Sequence, residues 1–124
     1  MVFFVGDAYS REQIHEQCGG SLQTYLPCKD GVVVAACLTV EMNPQAPCII
    51  LCGNGPSVRQ AGECLVSQAR PIPVFIKNIN RQWIFQGYFE VVESFVDSAD
   101  CAPYLLGSKR DQENISRVVR LRSV

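Results

Sequence analysis

Tyr9, Arg11, His15 and Gln23 share one short stretch, Tyr9-x-Arg11-x-x-Ile14-His15-x-x-x-Gly19-Gly20-x-x-Gln23. Arg11 and His15 are four residues apart, so on a helix they share a face and can meet a phosphate or a base edge together. The same spacing also describes a solvated polar face opposite Ile14 and Cys18. A hydrolytic triad is not expected, because the chain has a single histidine and no acid or nucleophile is spaced to serve it. Gly19-Gly20 either admits a ligand to the backbone or simply stops the helix.

A second group is aromatic and cationic. Trp83, Phe85, Tyr88 and Phe89 follow closely on Lys77 and Arg81. Aromatic faces stack on bases and cations hold phosphates. Trp83 and Phe85 share strand parity, and such an aromatic face more often fills a core than binds a base. Tyr9 and Tyr25 are expected on loops, where binding residues concentrate. A third group, Gly53-Asn54-Gly55-Pro56-Ser57, precedes a helix whose N-terminus suits an anion. It lacks the Lys-Ser/Thr of a phosphate-cradling loop and the spacing of a dinucleotide fingerprint.

The seven cysteines, at 18, 28, 37, 48, 52, 64 and 101, contain no Cys-x-x-Cys pair for zinc or redox chemistry. Their odd number argues against a secreted disulfide framework. They are expected as small, buried, reduced core thiols in an intracellular, cytoplasmic protein. No metal and no cofactor is expected.

The elements that must position these groups follow from local pattern. Met1–Val5 reads as a strand. Ser10-Arg11-Glu12-Gln13 is a capping box opening a helix over Arg11–Cys18. Val32–Val40 is a β-branched run that predicts one buried strand, and Cys48–Cys52 predicts another. Ser57-Val58-Arg59-Gln60 repeats the capping spacing before a helix over Val58–Gln68. Val74–Asn78 and Gln82–Phe95 predict a hairpin, turned at 78–81 and bent at Gly87, with a bulge in its long second strand. Ser98–Arg110 predicts a loop with a short helical turn, and Ile115–Leu121 a last strand. Strands outnumber helices. The fold class expected is α+β: a curved, mostly antiparallel sheet or small β-barrel with two short helices.

At 124 residues, with 48% hydrophobic and 19% charged residues, the composition is that of one globular domain spanning residues 1–124. No apolar run reaches the roughly 18 residues of a membrane span, and the first residues have no basic n-region, so neither membrane insertion nor a signal peptide is expected. The net charge of −1 gives no overall nucleic-acid signature. Charge is uneven, however: residues 59–124 hold nine basic against seven acidic side chains, and residues 1–58 two against five. Arg70, Lys77, Arg81, Arg117, Arg120 and Arg122 are the candidates for phosphate contacts.

The segment Tyr9–Gln23 resembles the Y-x-R-x-x-I-H-x-x-x-G-G-x-x-Q start of the SRA-like domains in McrA-type, HNH-containing restriction proteins. Pro73–Lys77 with Trp83–Val92 resembles a strand pair of SRA, EVE and related PUA-superfamily domains. Phe85-Gln86-Gly87 stands where the SRA signature has Tyr-Asp-Gly. The glycine-rich T-G-E-G-Q segment of several relatives is missing, as is the HNH nuclease. The resemblance implies a PUA/SRA-like fold and a non-catalytic reader of modified DNA, for example of methylated cytosine. Such a reader flips the base into an aromatic pocket and serves a restriction or defence system with a separately encoded effector nuclease. The residues it puts forward are Tyr9, Arg11, His15 and Gln23. Tyr25, Lys77, Arg81 and Trp83 join them from the aromatic and charge pattern. Two other readings stay open: an RNA- or modified-nucleotide-binding PUA/ASCH-like domain with hydrolase activity, and a protein-interaction module using an exposed strand edge.

Overall fold

The structure, a computed structural model, describes residues 3–124. Along the chain lie β1 (Ala8–Tyr9), α1 (Arg11–Cys18), β2 (Cys28–Lys29), β3 (Val32–Val33), β4 (Ala36–Leu38), β5 (Ile49–Gly53), α2 (Pro56–Gln68), β6 (Ile72–Lys77), β7 (Trp83–Phe95), α3 (Ser98–Cys101) and β8 (Ile115–Ser123), with two 3-10 turns between α3 and β8. The main sheet runs β4-β6-β7-β8-β5, with β1 added to the start of β7. Among the described residues only β4 and β6 pair in parallel; the other ladders are antiparallel. β2 and β3 form a separate small hairpin.

β7 makes the sheet curl. Its first half pairs with β6 and its second half with β8. The β6 ladder skips Gln86, next to Gly87 at φ +115°, and the β8 ladder skips Val92. Each extra residue sharpens the local twist, and the result is an α+β half-barrel.

Both faces of the sheet are covered, which is why β4, β5 and β6 read as continuous apolar runs rather than alternating ones. Leu65 and Ala61 of α2 pack on Ile50, Cys52, Val74, Phe89 and Val119. On the opposite face Ile14 of α1 joins Phe3, Tyr9, Phe75, Trp83 and Phe85. Cys101 of α3 joins Ile49, Leu51 and Val118 at the far end.

The capping box of α1 is present: Gln13 N–H donates to Ser10 Oγ at 3.1 Å and Ser10 N–H to Gln13 Oε1 at 2.9 Å. The one expected at Ser57 is not. α2 begins earlier, at Pro56, with Gly55 as a cap that makes no side-chain bond; the fixed φ of proline suits a first helical position. The run Val32–Val40 is two strands, because the chain turns from the β2–β3 hairpin into the main sheet, held by bonds from Val34 N–H to Pro27 O and from Cys37 N–H to Tyr25 O. Residues 3–5 form no strand, Phe3 being buried among the aromatics instead; Met1 and Val2 lie outside the described residues. α3 adds a third, one-turn helix. The thiols are all free but only partly core: Cys37, Cys52 and Cys101 are buried, Cys18 and Cys64 are half-buried, and Cys28 and Cys48 are exposed. Burial pushes the Cys37 thiol up to about 12 and the Cys52 thiol up to about 11.

Candidate nucleic-acid interface

The Tyr9–Gln23 stretch turns out to hold a loop. Tyr9 lies in β1, not on a loop, and is only 8% exposed. Its ring meets Phe3 edge-on at 5.0 Å, and its Oη accepts from Phe4 N–H at 2.8 Å. It is therefore built into the aromatic core and presents no face to a base. Arg11 donates through Nη2 to Ser21 O at 2.7 Å and Thr24 O at 2.9 Å. Its guanidinium lies 5.5 Å from the centre of the Trp83 ring, and Lys77 Nζ lies at 5.5 Å from the same ring. Trp83 is buried and is thus an anchor for two cations rather than an open stacking platform.

His15 is exposed, and its Nδ1 lies 2.6 Å from Gly20 O. A carbonyl only accepts, so Nδ1 carries the proton. Arg11 and His15 share a helix face, yet they do not converge on one point. They fasten the same loop at Gly20 and at Ser21 and Thr24. Ser21 shapes that loop from within, its Oγ accepting from Gln23 N–H at 3.0 Å and Thr24 N–H at 3.2 Å. Gln23 is exposed on it.

The fastened loop forms one wall of a half-open cavity of about 350 Å³. Thr24, Tyr25, Leu26, Cys28 and Asp30 line it on one side; Ser57, Val58, Gln60, Ala61 and Cys64 of α2 line it on the other. An apolar lining with a few polar groups, at a volume within the usual range of about 300–1,000 Å³, is the general character of small-ligand sites. Tyr25 is half-buried and held from behind: its Oη donates to Leu51 O at 3.3 Å and accepts from Gly53 N–H at 3.1 Å. Burial raises its pKa, and the neighbouring Cys52 adds to this.

Sequence reasoning missed the α2 wall. In the sequence Ser57 reads as a helix cap and as part of the Gly53–Ser57 anion candidate, and Gln60 only as the partner in that cap, since polar side chains at a helix start serve either purpose. The Gly53–Ser57 segment is tied inward: Arg59 donates to Asn54 O at 3.0 Å and to Asn54 Oδ1 at 3.2 Å, and Asn54 donates to Glu113 O.

Of the six cations expected to contact phosphate, Arg70 is exposed just after α2, and the other five divide into two groups. Arg120 pairs with Glu93, Arg122 with Glu90 at 2.7 Å, and Arg117 donates to Ser94 Oγ at 2.7 Å. The expected phosphate face on β8 is thus engaged within the sheet. Lys77 and Arg81 flank the β6–β7 turn, where Asn78 Oδ1 accepts from Asn80 and Gln82 N–H and Ile79 is 97% exposed. This turn lies at the same end of the sheet as Trp83, Arg11 and the fastened loop, because Lys77 is the register partner of Trp83.

No family model and no curated protein matches the sequence. Solved structures do match in fold. The SUVH5 SRA domain in complex with hemi-methylated CG DNA superposes with a TM-score of 0.68 at 14% identity, covering 100% of this chain and 90% of that one. The same domain bound to fully hydroxymethylated CG DNA gives 0.62 at 13%, covering 97% and 88%. The phosphorothioation-dependent type IV restriction endonuclease ScoMcrA gives 0.55 at 15%, covering 98% of this chain but 28% of that much longer one. The half-barrel built around β7, with α1 and α2 on opposite faces, is an SRA-like fold.

Proposed function

We propose that the chain is a non-catalytic reader of modified DNA that takes an extruded nucleotide into the cavity between the 21–31 segment and α2. The observation that carries this reading is the cavity itself, apolar, half-open and walled by a loop that α1 holds at three carbonyls. In this reading Tyr25 supplies the aromatic wall, while Thr24, Asp30, Ser57 and Gln60 supply polar groups for a base edge. Gln23 sits at the rim. Lys77, Arg81 and Arg70 contact phosphate, and Arg11, His15 and Trp83 act by positioning. Flipping costs a few kcal/mol of unstacking, which phosphate contacts and pocket burial offset. The complexes formed by the SUVH5 domain support the ligand class, since they contain methylated and hydroxymethylated CG DNA. A restriction or defence role with a separate effector nuclease, in the cytoplasm, completes the proposal.

A hydrolase is less well supported. His15 lies outside the cavity with Nδ1 engaged by Gly20 O.

The test is a titration of duplexes that are unmodified or carry 5-methylcytosine, 5-hydroxymethylcytosine, N6-methyladenine or phosphorothioate, at two salt concentrations. One modified duplex is expected to bind at least about tenfold more tightly than its unmodified twin, a gap typical of one well-read group. Lys77→Ala is expected to lower affinity for all duplexes and to reduce the salt slope by about 1. Equal affinity across the whole panel overturns the reading.

A further inference from the structure

We propose that Cys28 and Cys64 form a redox-sensitive pair in the wall of this cavity, and that their oxidation to a disulfide closes it to a nucleotide. The pairing rests on backbone geometry and concerns the regulation of the site proposed above. Cys28 and Val33 are register partners across the β2–β3 hairpin. Val34 N–H donates to Pro27 O at 2.9 Å, so Cys28 and Val33 are the non-hydrogen-bonded pair, the type in which side chains approach most closely. The N–H and C=O of Val33 point outward instead, to Gln68 of α2: Val33 N–H donates to Oε1 and Nε2 donates to Val33 O, both at 2.9 Å. Cys64 lies one helical turn before Gln68 on the same face. Ladder and clamp together bring both thiols to the wall of one cavity. A charge on Cys64 is among the causes that raise the Cys28 thiol, as fits near neighbours.

The other thiols differ. Cys37, Cys52 and Cys101 are buried, and the half-buried Cys18 and exposed Cys48 lie outside the cavity. Cys28 is exposed and Cys64 half-buried, so a small hydroperoxide reaches Cys28 first. The Cys28 thiolate attacks one peroxide oxygen; the S–O bond forms, the O–O bond breaks, and the departing oxygen takes a proton to leave as water or alcohol. The Cys64 thiolate then attacks the sulfenic sulfur; the S–S bond forms, the S–O bond breaks, and water leaves. The two thiols lose two electrons and two protons in all, and the hydroperoxide gains them. A disulfide holds its two β-carbons about 3.5–4.5 Å apart, which draws the small β2–β3 hairpin onto α2 across the opening. Because the Cys28 thiol is raised, its thiolate fraction and the rate of closure increase with pH.

The experiment uses the full chain carrying Cys48→Ser, treated with stoichiometric hydrogen peroxide, alkylated and peptide-mapped. A Cys28–Cys64 crosslink is expected, forming faster at pH 9 than at pH 7, with slower amide exchange at residues 29–32. Affinity for the preferred modified duplex should fall at least tenfold and return with dithiothreitol. In Cys28→Ser and Cys64→Ser versions, treated and untreated affinities should coincide, whatever their absolute values. No crosslink, a crosslink between other cysteines, or a crosslinked protein that binds as the reduced one does overturns the proposal. Crosslinking and exchange are read without DNA, so they judge the pair even where the reduced protein prefers no modified duplex, the result that removes the reader function instead.

Discussion

Arg11 shows how a residue type chosen for one chemistry serves another. Its planar fork was expected to hold a phosphate, and in the fold it holds Ser21 O and Thr24 O while lying against Trp83. A lysine has the charge but not the fork. Arg11→Lys is therefore expected to cost about 1.5–3 kcal/mol of stability, the scale of charged hydrogen bonds, read as a lower urea midpoint. Amide exchange at residues 20–24 should quicken, and modified-duplex affinity should fall with it. His15→Ala releases only the bond to Gly20 O and should produce a smaller change of the same kind. Weaker binding with unchanged loop exchange would place Arg11 on the DNA itself. Tyr9 makes the complementary point. A tyrosine beside a Gly-Asp break reads as a loop residue, and its burial depends on partners that include Phe75 and Trp83, far away in sequence.

Features written in local grammar were legible in the sequence at the level of elements. The capped start of α1, the β6–β7 turn and the bend at Gly87 each depend on a few adjacent residues, and each stands where the spacing put it. Non-local features were not legible. Nothing within Val32–Val40 announces that its first part pairs with β2 and its second, in parallel, with β6. The cavity has the same origin, since its walls are about thirty residues apart in sequence and meet through the Gln68 clamp on β3 and the packing of Leu26 and Val33 against Ala61 and Leu65. The two serine caps provide the sharpest test. Ser10→Ala removes a bond that exists and should cost about 1 kcal/mol. Ser57→Ala removes none from the helix start and should leave stability within about 0.5 kcal/mol, while lowering affinity for the modified base. Thermal melts of the two variants side by side measure the difference, and equal losses would restore a cap at Ser57.

For the whole molecule the average charge of −1 conceals a division of labour. The arginines of β8 are engaged by Glu90, Glu93 and Ser94 across the sheet, so the proposed phosphate contacts fall to the β6–β7 turn and Arg70. The uncharged interior has its own pH signature. Cys37 and Cys52 are raised from an ordinary value of 9.0 to about 12 and about 11, in both cases chiefly by burial. Between those limits the folded chain binds protons that the unfolded chain has released. Unfolding free energy must then fall as pH rises. The contribution is fully present below about pH 9 and is lost as pH climbs toward the folded values. Tyr25, also raised by burial, adds to the same slope at higher pH. Urea midpoints at pH 8 and pH 10.5, measured under reducing conditions, are expected to drop for the native sequence. They should drop less for the Cys37→Ala, Cys52→Ala double variant, whatever its absolute stability. The comparison is of slopes, so the cavities left by the smaller side chains do not enter it. Identical drops in the two proteins would mean that the buried thiols do not govern alkaline unfolding.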